Sequence, residues 1–130
     1  MDTKTTEIIQ DIFSRYPEVK LAYFFGSRVK GKDGPQSDYD FAVYFDERDV
    51  KKMFDSKAKL HNELSHLLKT DSVDVVVLNT VESPELKYAI IKEGKILLSR
   101  EPFKVLIEPK ILNEYFDFHL MLKRYNLTRS

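Results

Sequence analysis

The sequence predicts an α/β or α+β layer fold, with helices packed around one small sheet. Three observations predict it. Short apolar runs of strand length alternate with amphipathic stretches of helical length along the 130 residues. Hydrophobic residues make up 42% and charged residues 32%, enough for a core and for a solvated exterior. There is no internal repeat and no low-complexity linker. One domain spanning residues 1–130 is therefore expected, with a core over about 5–100 and a C-terminal helix over about 108–126.

The elements follow in order. Ile8, Ile9, Ile12, Phe13 and Tyr16 form a helical stripe that Pro17 ends. Val19 to Phe25 is nearly all apolar, which suits a buried strand. The stretch from Gly26 to Ser37 holds Gly26, Gly31 and Gly34 and reads as a loop. Tyr39 to Phe45 reads as a second strand. Glu47 to Lys69 reads as a long amphipathic helix with Val50, Met53, Phe54, Leu60, Leu64, Leu67 and Leu68 inward. Ser72 to Asn79 is rich in β-branched residues and reads as a third strand. Ser83-Pro84 starts a helix to Glu93, with Gly94 as its C′ residue. Lys95 to Ser99 is a fourth strand, and Glu108-Pro109 opens a last helix to about Asn126.

Composition excludes several classes. Lysine plus arginine is 21 and aspartate plus glutamate is 21, so net charge is zero. A generic nucleic-acid coat needs a basic excess, and no direct nucleic-acid binding is expected. Without cysteine there is no disulfide framework and no thiolate metal or redox chemistry. No apolar run nears the roughly 18 residues of a membrane helix, and Met1 to Gln10 lacks an apolar signal core. A soluble, cytoplasmic protein is the expectation.

The chemistry concentrates between Gly26 and Asp40. Residues two apart on a strand share a face about 6.5–7 Å apart along it. Asp38 and Asp40 therefore point one way while Tyr39 and Phe41 point the other. Two such carboxylates repel unless a cation sits between them. All-oxygen donors favour a hard divalent ion, Mg²⁺ or Mn²⁺. Asp74 lies within the apolar run Val73 to Leu78, where an unpaired carboxylate is costly. If its strand neighbours that of Asp38 and Asp40, three carboxylates converge, a set that can hold two metals about 3.5–4 Å apart for displacement at phosphorus. Gly26 lets backbone amides approach a phosphate, Ser27 adds a hydroxyl, and Arg28, Lys30 and Lys32 add positive charge. Together these describe a site for a nucleoside triphosphate.

Bland readings stand beside these. A Gly-Ser pair alone is a turn, Asp-x-Asp alone is a solvated strand edge, and Asp74 could cap its strand, exposed behind Ser72. Loop lysines are mostly solvated, so Arg28 is the preferred phosphate contact. His61, His66 and His119 form no metal-ligand spacing with one another and read as structural or exposed. In the last helix Ile111, Tyr115, Phe118, Leu122 and Tyr125 form an apolar stripe that Leu112, Phe116 and Leu120 widen. Half of it suits core packing; the remainder suits a partner or a second copy of the chain.

Gly26-Ser27, ten residues, then Asp38-Tyr39-Asp40 resembles the signature of the DNA polymerase β-like nucleotidyltransferases, and Asp74 matches their third aspartate. More narrowly, the chain resembles the minimal nucleotidyltransferases, the MNT antitoxins often encoded beside a helical HEPN protein, HepT. Gly31, the stretch Glu82 to Arg100 and the stretch Glu114 to Asn126 extend the likeness over nearly the whole chain. Val29 stands where alanine is commoner, and Tyr39 and Phe41 stand where aliphatics are usual. The resemblance implies a small mixed β-sheet packed with helices plus a C-terminal amphipathic helix. It implies Mg²⁺-dependent transfer of AMP from ATP to a hydroxyl, a tyrosine of a HepT-like toxin, by an antitoxin. Asp38, Asp40 and Asp74 would then be catalytic and hold two Mg²⁺ (or Mn²⁺) ions, with Asp74 placed to accept the attacking hydroxyl's proton. Gly26 and Ser27 would hold phosphates. The alternatives are an antitoxin that acts by complex formation alone, and an enzyme modifying a small molecule or an RNA end.

Overall fold

A computed structural model of the chain describes residues 1–28 and 38–125. In chain order these form α1 (Thr3–Ser14), β1 (Val19–Phe25), β2 (Tyr39–Phe45), α2 (Val50–Leu68), β3 (Val73–Val77), α3 (Pro84–Glu93), β4 (Lys95–Ser99) and α4 (Phe103–Arg124). The strands make one sheet in the order β3-β2-β1-β4. β1 pairs antiparallel with both β2 and β4, and β2 pairs parallel with β3. The sheet is thus mixed, and α2 is the crossover that a parallel pair requires.

Helix starts follow the expected chemistry. Asp2, Asp49 and Ser83 each accept a bond from a first-turn backbone N–H, of Thr5, Lys51 and Leu86 respectively. Pro84 then occupies the first turn of α3.

Strand alternation divides the core in two. Phe41, Val43 and Phe45 pack with Val73, Val75 and Val77 against Ile9, Ile12 and Phe13 of α1 and Met53, Leu60 and Leu64 of α2. Ala42, Leu21 and Tyr23 face the other way, with Ile90 of α3 and the half-buried Phe103 and Ile107 of α4. β1 changes parity on the way: Val19 opposes Phe45 but Leu21 opposes Tyr44, so Lys20 is an extra residue. This bulge turns Val19, Ala22 and Phe24 to the first core, and Leu21 and Tyr23 to the second.

The β2–β3 register is pinned at both ends. At the start the Tyr39 N–H donates to the Ser72 carbonyl at 2.8 Å. At the far end the Leu78 N–H donates to the Val43 carbonyl at 2.8 Å. Beside it the Asn79 amide makes both bonds to the Phe45 backbone, accepting at 2.9 Å and donating at 2.8 Å.

The structure corrects several expectations. Val50 and Phe54 of α2 are exposed; Met53, Leu60 and Leu64 carry its contact with the sheet. α4 begins at Phe103, so Pro109 lies inside the helix instead of opening it. Its missing N–H would have bonded the carbonyl of Val105, a residue 71% exposed, which water can satisfy. Gly94 does not adopt a left-handed C′ conformation. It is needed for space, because a Cβ there would lie 2.3 Å from the Ile90 carbonyl oxygen. Of the α4 stripe only Ile111 is buried, and Tyr125 is exposed with Phe116 and Leu120. Among the described residues no helix is long and apolar enough to cross a membrane.

α4 is tied down at its root by polar contacts. The Tyr23 hydroxyl donates to Glu108 Oε2 at 2.6 Å. Burial and the Glu108 charge push that phenol far above its ordinary range, so it stays the donor. Arg100 closes the end of α1: Nη1 donates to the carbonyls of Tyr16 and Val19 at 2.9 and 2.6 Å, and Nη2 to that of Ser14 at 2.7 Å. Arg100→Met should therefore lower unfolding stability by about 2 kcal/mol, from several charge-assisted bonds that partly re-form with water. Urea titration of the two proteins checks this, and Arg100→Lys should recover part of the loss.

Candidate active site

β1 ends at Phe25, paired with Asp40. The chain then turns at Gly26, whose φ is +89°. That conformation costs little only for glycine. There is also no room for a side chain, because a Cβ on Gly26 would lie 2.2 Å from Asp40 Oδ2. The bend is therefore set directly against a carboxylate.

Asp40 is the register partner of Asp74 across the parallel pair. Register partners on adjacent strands present their side chains to the same face, about 4.8 Å apart along the ladder. Asp38 stands two residues before Asp40 and, by the same alternation, on that face. It is the face of α3 and α4. The condition set by the sequence, that the strand of Asp74 neighbour that of Asp38 and Asp40, is met.

Asp40 is half-buried; Asp38 and Asp74 are exposed. The Asp74 position corrects the sequence argument. Its charge is not buried at a cost, because β3 is an edge strand whose other face, Val73, Val75 and Val77, carries the packing. Burial, then the charges of Asp74 and Asp38, hold the Asp40 carboxyl above the usual aspartate range. Among the described residues no three acid or histidine side chains are already drawn together closely enough to hold a metal ion. Uncompensated carboxylates keep apart, and a cation between them removes the cause. A donor set made of carboxylate oxygens fits a hard divalent ion.

Ser27 follows in the bend and is half-buried. The Arg28 guanidinium carbon lies 4.0 Å from the centroid of the ring of Tyr39, a residue that packs on the opposite face of β2 from Asp40. Lys30, Gly31 and Lys32 lie outside the described residues. His66 and His119 are exposed and His61 is half-buried; the His119 ring packs 4.3 Å from that of Tyr115 on α4. Sequence reasoning gave Tyr39 no contact with Arg28; the signal was an aromatic residue between two acids, across the loop from an arginine.

The chain belongs to the polymerase β nucleotidyltransferase family, whose profile, "Polymerase beta, Nucleotidyltransferase", matches residues 7–103. Over 97 residues it is 28% identical to the protein adenylyltransferase MntA of Aphanizomenon flos-aquae (strain 2012/KM1/D3). That match covers 70% of this chain and 64% of the curated relative's length. A toxin–antitoxin complex solved with AMP-PNP contains a chain of the same fold, with TM-score 0.73, 24% identity and coverage of 93% and 94% of the two chains. So does a complex of an MNT antitoxin with the tri-AMPylated HEPN toxin of Shewanella oneidensis, with TM-score 0.73, 22% identity and coverage of 96% and 95%.

Two outcomes follow from the geometry. In the folded protein Asp40 holds its proton to higher pH than in the unfolded chain, so its ionisation disfavours folding. The associated stability is complete below the ordinary aspartate value of 3.8 and is lost as pH rises through the higher folded value. Asp40→Asn should therefore raise Tm at neutral pH in a chelator, with the gain fading in acid. Adding Mg²⁺ should raise the Tm of the wild-type chain and not that of the variant. Gly26→Ala should lower unfolding stability by about 2 kcal/mol, from a strained φ and a clash with Asp40, as urea titration would measure.

Proposed function

We propose that this protein transfers AMP from ATP, with Mg²⁺ or Mn²⁺, to a tyrosine hydroxyl of a HEPN-family partner, and acts as the antitoxin of that pair. The observation that carries the reading is Asp40 beside Asp74 in register, facing the Gly26 bend, with Asp38 two residues behind. The curated relative, a protein adenylyltransferase, supports the reaction class. The solved relatives, antitoxins bound to HEPN toxins, support the partner.

Two divalent ions bound by Asp38, Asp40 and Asp74 would neutralise phosphate charge and the developing negative charge on attacking and leaving oxygens. Gly26 supplies a left-handed bend that sets the backbone beside Asp40, where its neighbouring amides would face phosphate oxygens, and Ser27 offers a hydroxyl donor to them. Asp74, exposed at the sheet edge, faces an incoming acceptor and is placed to take its proton. The acceptor oxygen forms a bond to the α-phosphorus, the bond from that phosphorus to the bridging oxygen breaks, and pyrophosphate departs. No protein nucleophile is needed: positioning and charge neutralisation supply the acceleration.

The test is incubation of the purified chain with α-labelled ATP, Mg²⁺ and the HEPN-family partner. Label should appear on a partner tyrosine, as a mass gain of one AMP per site. Asp38→Ala or Asp40→Ala should reduce transfer on the order of 100-fold or more, as expected for loss of transition-state charge stabilisation. Transfer by these variants at the wild-type rate sinks the reading. Variants that transfer nothing yet still silence the partner move the biological effect to complex formation.

A further inference from the structure

We propose that Arg28 is a positioning residue, whose guanidinium, stacked on Tyr39, staples the Gly26–Ser27 bend to β2 between the two aspartates. This rests on the nucleotide-transfer reading of the site. The guanidinium carbon lies 4.0 Å from the ring centroid, well within the distance at which a cation is held by an aromatic face. Tyr39 is itself firmly seated. Its N–H donates to Ser72 at 2.8 Å, its ring lies 6.4 Å from that of Phe24, and it packs against the α1–α2 core. Arg28 follows directly on the bend, and Tyr39 follows directly on Asp38 and precedes Asp40. The stack thus ties the two segments that must be held together, from the face the carboxylates do not use.

Two consequences follow. On this proposal the contact of Arg28 with the Tyr39 ring serves the bend, and the role differs from the direct phosphate contact that its place in the loop suggests. The aromatic side chain at position 39 also acquires a reason. An aliphatic there would fill the same core space but would offer no π face to a guanidinium.

The test is steady-state transfer to the HEPN-family partner with Mg²⁺ and ATP, for the wild-type chain and for Arg28→Met, Tyr39→Leu, Tyr39→Phe and the Arg28→Met/Tyr39→Leu double variant. Each loss of the stack should lower kcat about fivefold to tenfold, the scale of one cation–π contact, and move KM for ATP less than about threefold. The double variant should resemble the single ones, because both remove one interaction. Tyr39→Phe keeps the face and should match wild type. Tyr39→Leu places in the core a residue type that suits it, so folding is retained, and circular dichroism checks this. Nuclear magnetic resonance gives a readout independent of activity: the Arg28 δ-methylene protons should be shifted upfield by the ring, and Tyr39→Leu should abolish the shift. A tenfold rise in KM for Arg28→Met with normal Tyr39→Leu kinetics makes Arg28 a phosphate ligand and overturns the proposal, as does an unshifted wild-type resonance. A wild-type chain that transfers nothing defeats the nucleotide-transfer reading and the positioning role with it, while the resonance still reports whether the stack exists.

Discussion

Everything at the site depends on a register that electrostatics opposes. β2 and β3 run parallel with Asp40 alongside Asp74, and two like charges on neighbouring strands repel. Burial first, and then the charges of Asp74 and Asp38, raise the Asp40 carboxyl above the usual aspartate range. What holds the strands is on the other face and at the two ends. Phe41, Val43 and Phe45 with Val73, Val75 and Val77 are all buried against α1 and α2. At about 1.5–3 kcal/mol for each such side chain, their burial far outweighs one screened carboxylate pair. Slippage by one residue would turn these apolar side chains to the carboxylate face and the acids into the core, so the hydrophobic pattern itself enforces the alignment. The Asn79 amide, bonded twice to Phe45, closes the same ladder at its far end.

Strand parity therefore separates two jobs within a few residues. Odd positions of β2 build the core, and Asp40 and Ala42 between them face α3 and α4. The division continues outside the strand. Gly26 meets Asp40 on one face, while Arg28, two residues on, meets Tyr39 on the other. The bend lies over the start of β2 and meets one residue on each of its faces. The bulge at Lys20 serves the same arrangement, because it lets β1 enter with Val19 in one core and still place Phe24 correctly beside Phe41.

The order of elements, the strands and the acid pair were legible because each rests on local pattern: apolar alternation, a cap at Ser83, and a spacing of two between aspartates. What failed was decided by partners distant in sequence. Val50 and Phe54 lie to one side of the face that Met53, Leu60 and Leu64 turn to the sheet, and are exposed. Pro109 was read as a first-turn residue because nothing local showed that Arg100, Pro102 and Phe103 already turn the chain into a helix. Asp74 looked buried among valines because a sequence does not say that its strand is an edge. The stack of Arg28 on Tyr39 was not legible, because the two residues stand eleven positions apart across the loop. The family profile ends at residue 103, where α4 begins, and contacts with the rest of the chain hold that helix in place. These are Tyr23 with Glu108, Lys87 with Glu114 at 2.9 Å, and the stacked rings of Tyr88 and Tyr115 at 3.8 Å.

The same repulsion bears on the spacing of the acids, which among the described residues form no group able to hold a metal ion. Holding three carboxylates at ion-binding distance in the absence of an ion would add repulsion that the small sheet must absorb. Asp38 and Asp74 relieve this by staying exposed, where water screens them, and only Asp40 is partly desolvated. Asp40 is also the residue pressed against Gly26, so the one carboxylate whose position is fixed by the backbone is the one shared by strand and bend. Under the proposed function a cation would have to organise two solvated side chains around a third that is already in place, and holding one carboxylate against the bend while the other two stay in water keeps the repulsion among them small.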